Sequence, residues 1–228
     1  MRQTWSDLLF AHWPIPAEVI APLLPPGLEL ETWDGSAWLG VVPFRMEGVR
    51  LRGLPPIPGT SSFPELNVRT YVTAAGKPGV WFFSLDATSV PAVLAARATF
   101  RLPYYTARMC CDARDDTIAY ASRRRNLRQD TPDAEFAARY RAVGPAFSPQ
   151  PGTLEYFLTE RYCLYAAGIG GRLLRADITH ALWRLRPAEA EITANTMASA
   201  AGIVLPRTVP LLHYSARQEA LAWWPERV

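Results

Sequence analysis

The chain has 228 residues, of which 49% are hydrophobic, 20% charged and 11% aromatic. That is the make-up of one domain, 1–228, with a sizeable core, and it excludes a disordered or acidic solvating protein. A formal net charge of +3, from 24 basic and 21 acidic residues, is too balanced for a chain whose main partner is a phosphate backbone. Three cysteines, two of them adjacent, are too few for a disulfide scaffold and point to a reducing, cytoplasmic setting. Asp7 stands where a signal peptide needs its apolar segment. No run approaches the ~18 apolar residues of a membrane span, so neither a membrane nor a nucleic acid is expected as partner. Among the basic residues only Lys77 is a lysine, and an arginine cannot form a Schiff base.

The 21 prolines and 14 glycines are spread along the whole chain, which predicts short strands joined by many turns. Pro16 to Ala21 reads as a short helix ending near Pro25-Pro26-Gly27. Leu28 to Trp33 alternates, Asp34-Gly35 supplies a tight turn, and Ala37 to Met46 returns as an apolar strand. Residues 53–62 form a rigid loop. Glu65 to Thr73 and Val80 to Asp86 pair across a turn at 75–79. Ser89-Val90-Pro91 opens a helix that runs through about Thr99. A second hairpin joins Thr106 to Ala113 with Thr117 to Arg124. Leu127 to Pro151 is a polar excursion, with one short helix around Glu135 to Arg141.

Gly152 to Thr159 reads as helical. Strands follow at Arg161 to Ala167, Arg172 to His180, Trp183 to Ile192 and, after a short helix at 194–201, at Leu211 to Leu221. The sum is about nine strands and three or four short helices. Parallel doubly wound folds need a helix between most strands. The pattern instead predicts a mainly β (α+β) fold, an antiparallel β-barrel or cone with short peripheral helices.

Within Phe63 to Val72, residues two apart share a strand face, so Glu65, Asn67, Arg69 and Tyr71 point one way and Leu66, Val68 and Val72 the other. A polar row of this kind commonly faces solvent on a half-buried strand. In a closed barrel the same row lines the interior, where an acid, an amide and a guanidinium converge on a ligand. Arg69 is then the carboxylate clamp, because its planar fork matches a carboxylate bidentately. Glu160 and Arg161 stand at a helix-to-strand junction, either as a surface ion pair or aimed inward at the ligand.

His12, His180 and His213 share no spacing with one another or with Cys163, and Cys110 and Cys111 alternate faces in a strand. No metal is therefore expected, nor any other cofactor. Gly168 to Gly171 precedes a strand rather than a helix, so it is a turn and not a phosphate cradle. Arg123-Arg124-Arg125 is too short for a nucleic-acid patch and reads as a solvated hairpin end. Trp223-Trp224 either covers a barrel end or meets a second copy, which leaves a homo-oligomer open.

Several segments together resemble the YqjF-like family of uncharacterised bacterial proteins. They are His12-Trp13-Pro14, Pro25 to Leu28, Asp34 to Gly40, Phe63 to Val72, Phe83 to Ala87, Leu102 to Tyr105 and Phe157 to Tyr165. The resemblance implies the acetoacetate decarboxylase-like superfamily, whose antiparallel β-barrel or cone encloses a central pocket. Its well-understood members form a Schiff base through a lysine in a Gly-x-Pro-Lys-Lys stretch. The matching stretch here is Arg101 to Tyr105, which sets Tyr104 in the nucleophile's place and removes that mechanism. Glu65 matches a glutamate that lines the pocket in the superfamily.

Two functions follow from this resemblance. One is a pocket that binds a small, anionic carboxylate or carbonyl compound. The other is a non-covalent lyase or hydrolase, with Glu65 as acid or base, Tyr104 as proton donor or oxyanion partner, and Asn67, Arg69, Glu160 and Arg161 holding the ligand. The state of Glu65 separates the two. Buried beside Tyr104 its pKa rises, whereas paired with Arg69 it stays low and inert.

Overall fold

In the computed structural model, residues 1–125 and 131–228 are described. The chain runs through β1 (Arg2–Pro16), α1 (Ala17–Ile20), β2 (Glu29–Leu30), β3 (Ser36–Arg50), β4 (Phe63–Ala74) and β5 (Lys77–Ala87). It continues with α2 (Val90–Thr99), β6 (Tyr104–Arg114), β7 (Thr117–Arg124), β8 (Glu135–Ala142), α3 (Leu154–Thr159) and β9 (Cys163–Ala167). Last come β10 (Leu173–His180), β11 (Arg186–Asn195), β12 (Leu211–Ala222) and β13 (Glu226–Arg227).

Most strand pairs are antiparallel, as the hairpin pattern requires. Two are parallel, β5 with β6 and β5 with β9. The first is reached through α2, as a parallel pair needs a crossover.

The sheet closes on itself twice. One ring runs β5-β6-β7-β8-β11-β12-β1-β3-β4 and returns to β5. The other leaves β5 by β9 and β10 and rejoins at β12, so β12, β1, β3, β4 and β5 belong to both rings. A wall shared in this way has no solvent side. On β1, β3 and β4, Leu8, Phe10, Val42, Phe44 and Tyr71 enter one core, and Leu9, Ala11, Leu39, Val41, Leu66 and Val68 enter the other. The half-buried strand with a solvated polar row is therefore not what forms: the polar row of β4 lies on the face of the first core.

The chain's own chemistry explains the shared wall. Leu8 to Trp13 is buried residue after residue, the signature of a strand covered on both faces. Asp7, at φ 56°, sits where the β1–β3 register shifts, a bulge that bends the strand around the ring. At Gly79 the backbones of β5 and β9 come close together. A Cβ there would meet the Cys163 carbonyl at 2.8 Å and its Sγ at 2.6 Å.

Two sequence-based expectations change. Residues 135–141 form the strand β8 rather than a helix. Phe136, Ala138 and Tyr140 are buried in the second core while Glu135, Arg139 and Arg141 stay exposed, so the strand's two-residue period overrides the helix propensity of its alanines. The earlier part of that excursion, 126–130, lies outside the described residues. In addition, β11 continues to Asn195, which leaves only a single turn of helix at Ser199–Ala201.

Candidate functional site

The first core is not filled completely. A cavity of about 110 Å³ lies inside the ring that contains β9 and β10, and Glu65, Asn67, Arg69, Tyr104 and Arg161 line it together with mostly apolar side chains. That is room for a few water molecules or one compact organic molecule.

The polar end is assembled by strand register. Asn67 pairs with Leu85 across β4 and β5, and Leu85 pairs with Tyr104 across β5 and β6. Tyr104 thus starts one strand beyond β5 and reaches back over it. Its hydroxyl donates to Glu65 Oε2 at 2.9 Å. Below the carboxyl, the Tyr120 hydroxyl of the opposite core donates to the Glu65 carbonyl at 2.7 Å, which fixes the backbone.

Glu65 is only 2% exposed. Burial pushes its pKa up to about 8; the Tyr104 hydrogen bond opposes this, and the negative charge of Asp86 adds to it. Desolvation dominates because, among the described residues, nothing cationic pairs with the carboxyl. Tyr104 is held well above its usual pKa by burial and then by the neighbouring Glu65, so it remains a donor.

Arg69 is differently placed. Its Nη2 donates to the Leu158 carbonyl at 3.2 Å, and the Phe10 and Tyr71 rings lie 5.4 and 5.8 Å from its guanidinium carbon. Its buried Nε has no hydrogen-bond partner, and neither has Asn67 Oδ1. Among the described residues no carboxylate lies within ion-pair distance of Arg69, whereas Arg161 is paired with Glu31.

Arg161 further donates Nε to the Phe157 carbonyl at 2.6 Å and sits over the Phe157 ring. It also lines an outer cleft of about 430 Å³, together with Glu31, Glu160 and Tyr162.

Glu160 does not reach the cavity, contrary to its expected ligand-binding place. Its Oε1 accepts from the Trp183 backbone N–H at 2.9 Å, and its Oε2 accepts from the Tyr162 hydroxyl. Both oxygens are spent on bracing the chain. Nor do Glu160 and Arg161 pair with each other, since Arg161 turns to Glu31.

Arg124 departs from the solvated-tip expectation as well. It is buried and forks onto Asp86, Nη2 to Oδ1 at 2.7 Å and Nε to Oδ2 at 2.9 Å, with only Arg123 and Arg125 exposed. Lys77 is half-buried and pairs with Asp177 at 2.9 Å.

Sequence reasoning missed a second group behind Arg69. His12 Nε2 and the Tyr71 hydroxyl lie 2.6 Å apart and are fully buried. Burial and the charge of Arg69 lower the His12 pKa well below its usual value, so the imidazole is neutral and shares one hydrogen bond with the hydroxyl. His12 and Arg69 both flank Gly40 across β1, β3 and β4. A Cβ at Gly40 would stand 3.1 Å from the His12 ring and 3.4 Å from Arg69 Cγ. Trp5, His180 and Trp183 complete the cavity wall, with Trp5 and Trp183 stacked 5.8 Å apart. Their meeting depends on strand pairing that no local spacing records.

The model of the DUF2071 family, described as an uncharacterized conserved protein, matches residues 2–219. The chain belongs to this family. It is 48% identical over 223 residues to the uncharacterized protein YqjF of Bacillus subtilis (strain 168), covering 98% of this chain and 90% of that protein. Among solved structures, acetoacetate decarboxylase from Legionella pneumophila subsp. pneumophila str. Philadelphia 1 superposes with a TM-score of 0.64 at 13% identity, over 100% of this chain and 86% of that one. The enduracididine biosynthesis enzyme MppR, complexed with pyruvate, gives 0.64 at 12% identity, over 98% and 89%. At such identities the likeness is one of fold, and this DUF2071 chain has the acetoacetate decarboxylase-like architecture. Among the described residues no helix is long and apolar enough to cross a membrane.

Proposed function

We propose that the central cavity binds a small carboxylate or carbonyl compound without forming a Schiff base. The observation that carries this reading is Arg69, a cation on the cavity wall with no carboxylate of its own among the described residues. A part-buried guanidinium whose Nε has no partner is under-compensated for the water it has lost, and an anionic ligand offsets that cost bidentately. Asn67, with a partnerless amide oxygen beside it, can take a ligand hydroxyl. The pyruvate complex of MppR supports the same ligand class. No lysine lines the cavity, so the Schiff-base lysine of the superfamily has no counterpart in its wall.

The raised pKa of Glu65 favours a second reading, acid–base turnover in the same pocket. With its pKa pushed up to about 8 the carboxyl holds its proton near neutrality, Tyr104 engages its Oε2, and a group in that state suits proton transfer to a bound carbonyl or enolate. The low pKa that an inert Glu65–Arg69 pair would give is absent.

Calorimetric titration with pyruvate and acetoacetate tests the binding. Arg69→Met is expected to weaken it about ten- to a hundred-fold, as loss of a charge-assisted contact does. Arg161→Met is expected to lose less, since Glu31 already engages that cation, and the exposed Arg123→Met to lose nothing. Borohydride added with acetoacetate should leave the mass unchanged. Tight binding that ignores Arg69→Met, or a reduced adduct on Lys77, would overturn the proposal.

A further inference from the structure

Resting on that reading of the cavity, we infer that its ligand is an amphipathic monocarboxylate with an apolar body, alkyl or aryl, rather than a compact keto acid. Apolar side chains outnumber polar ones on the cavity wall, and the polar ones beyond β4 and Tyr104 are Gln3, Thr159, Arg161 and His180. Glu65, Asn67 and Arg69 come from one face of β4, and Tyr104 joins them by donating to Glu65. The remaining wall is built mostly from rings and aliphatic chains, among them Phe10, Phe44, Phe82, Phe100 and Trp183.

Phe10 links the two parts. Its ring lies 5.4 Å from the Arg69 guanidinium and 5.0 Å edge-on to Trp183. Trp183 leads on to Trp5, which meets Phe44 edge-on at 6.4 Å. A ligand clamped by its carboxylate at Arg69 must therefore lay the rest of its length along Phe10 toward the two indoles.

Ligand chemistry decides what can lie there. Pyruvate can set its carboxylate on Arg69 and its keto oxygen on the neighbouring polar groups of β4, but its single methyl covers little of the aromatic wall. A methylene or a phenyl ring in the same place removes apolar wall and apolar ligand from water together. That gain is about 0.8 kcal/mol per methylene, or about fourfold in affinity. Aromatic walls also accept a phenyl ring edge-on or offset, the geometries such pairs prefer.

The test is titration of the full chain with acetate, butyrate, hexanoate, phenylacetate and pyruvate, with hexanol as the uncharged control. Heat and the fluorescence of the cavity tryptophans are the readouts. Affinity is expected to climb about fourfold per methylene until the cavity is full. Hexanoate or phenylacetate should bind at least about tenfold more tightly than pyruvate, and hexanol should bind weakly. Ala96, on α2, lines the cavity, so Ala96→Phe should weaken hexanoate and phenylacetate while sparing acetate and pyruvate.

A flat series, with pyruvate as tight as hexanoate and both lost in Arg69→Met, would overturn the apolar body and leave the anion site standing. Hexanol as tight as hexanoate, or no binding of any carboxylate, would overturn both readings.

Discussion

Glu65 is neutral in the fold at pH 7 because burial outweighs the one hydrogen bond it accepts. Its folded pKa, about 8, lies above the ordinary value of 4.5, so the folded chain holds a proton that the unfolded chain has released. Stability from this group is complete below about pH 4.5 and drains away as pH rises toward 8, by up to about 1.4 kcal/mol per pH unit. Glu65→Gln, which stays neutral throughout, should flatten that part of the Tm–pH profile. Tyr104→Phe should move the Glu65 titration higher still, because the lost hydroxyl stabilised the carboxylate. The carboxyl infrared band of the two proteins, followed from pH 5 to about pH 10, would check the direction. An unchanged or lower titration in Tyr104→Phe would mean that the hydroxyl does not reach the carboxyl in solution.

Among the elements, β5, β6 and β7 are held together by a contact that bypasses the middle strand. Arg124 of β7 lies 3.9 Å over the Tyr105 ring of β6 and ends on Asp86 of β5. The two charged side chains are 1% and 0% exposed. Removing one partner strands a buried charge, so Arg124→Met should cost about 3–5 kcal/mol in chemical denaturation. The exposed Arg123→Met should stay within about 0.5 kcal/mol. Equal, small losses in both would show the pair to be solvated.

A triple arginine does not announce this arrangement, since its alternation only makes sense once β7 has a face to bury. The hairpin strands themselves were legible, because polar turns and period-2 runs mark them locally; Thr117 to Arg124 has the same limits in sequence and structure. The Glu65, Asn67, Arg69 row was legible for the same reason. β1 was not, because Leu8 to Trp13 is buried on both faces and shows no period, with Pro14 and Pro16 reading as interruptions. Tyr104 came from family resemblance alone. The direction Glu160 takes, to Trp183 and Tyr162, was not legible because a place at a helix end says nothing about which way a side chain turns.

At the level of the whole molecule, the two rings divide their labour. The ring through β6, β7, β8 and β11 holds the core built around Phe136, Tyr140 and Leu66, and the one through β9 and β10 keeps the cavity. The shared wall of β1, β3 and β4 is therefore backed by a buried hydrophobic core behind the face it turns to the ligand space. That is the support a preorganised polar row needs. Short edge pairings such as β2 with β4 and β13 with β10 carry none of this.

The double closure also sets a timescale. A backbone amide in the shared wall has no local route to water, because freeing it means parting both rings. In heavy water its deuterium uptake should follow only the rare opening of the entire molecule. The amides of Leu9, Val41 and Val68 are expected to be the slowest to label, with one common opening free energy. Those of Leu30 and Arg227 should label orders of magnitude sooner by fraying. Mass spectrometry of the labelled peptides would reveal the contrast. Fast uptake in β4 would mean that the wall can open by itself, and that a ligand could come and go through it.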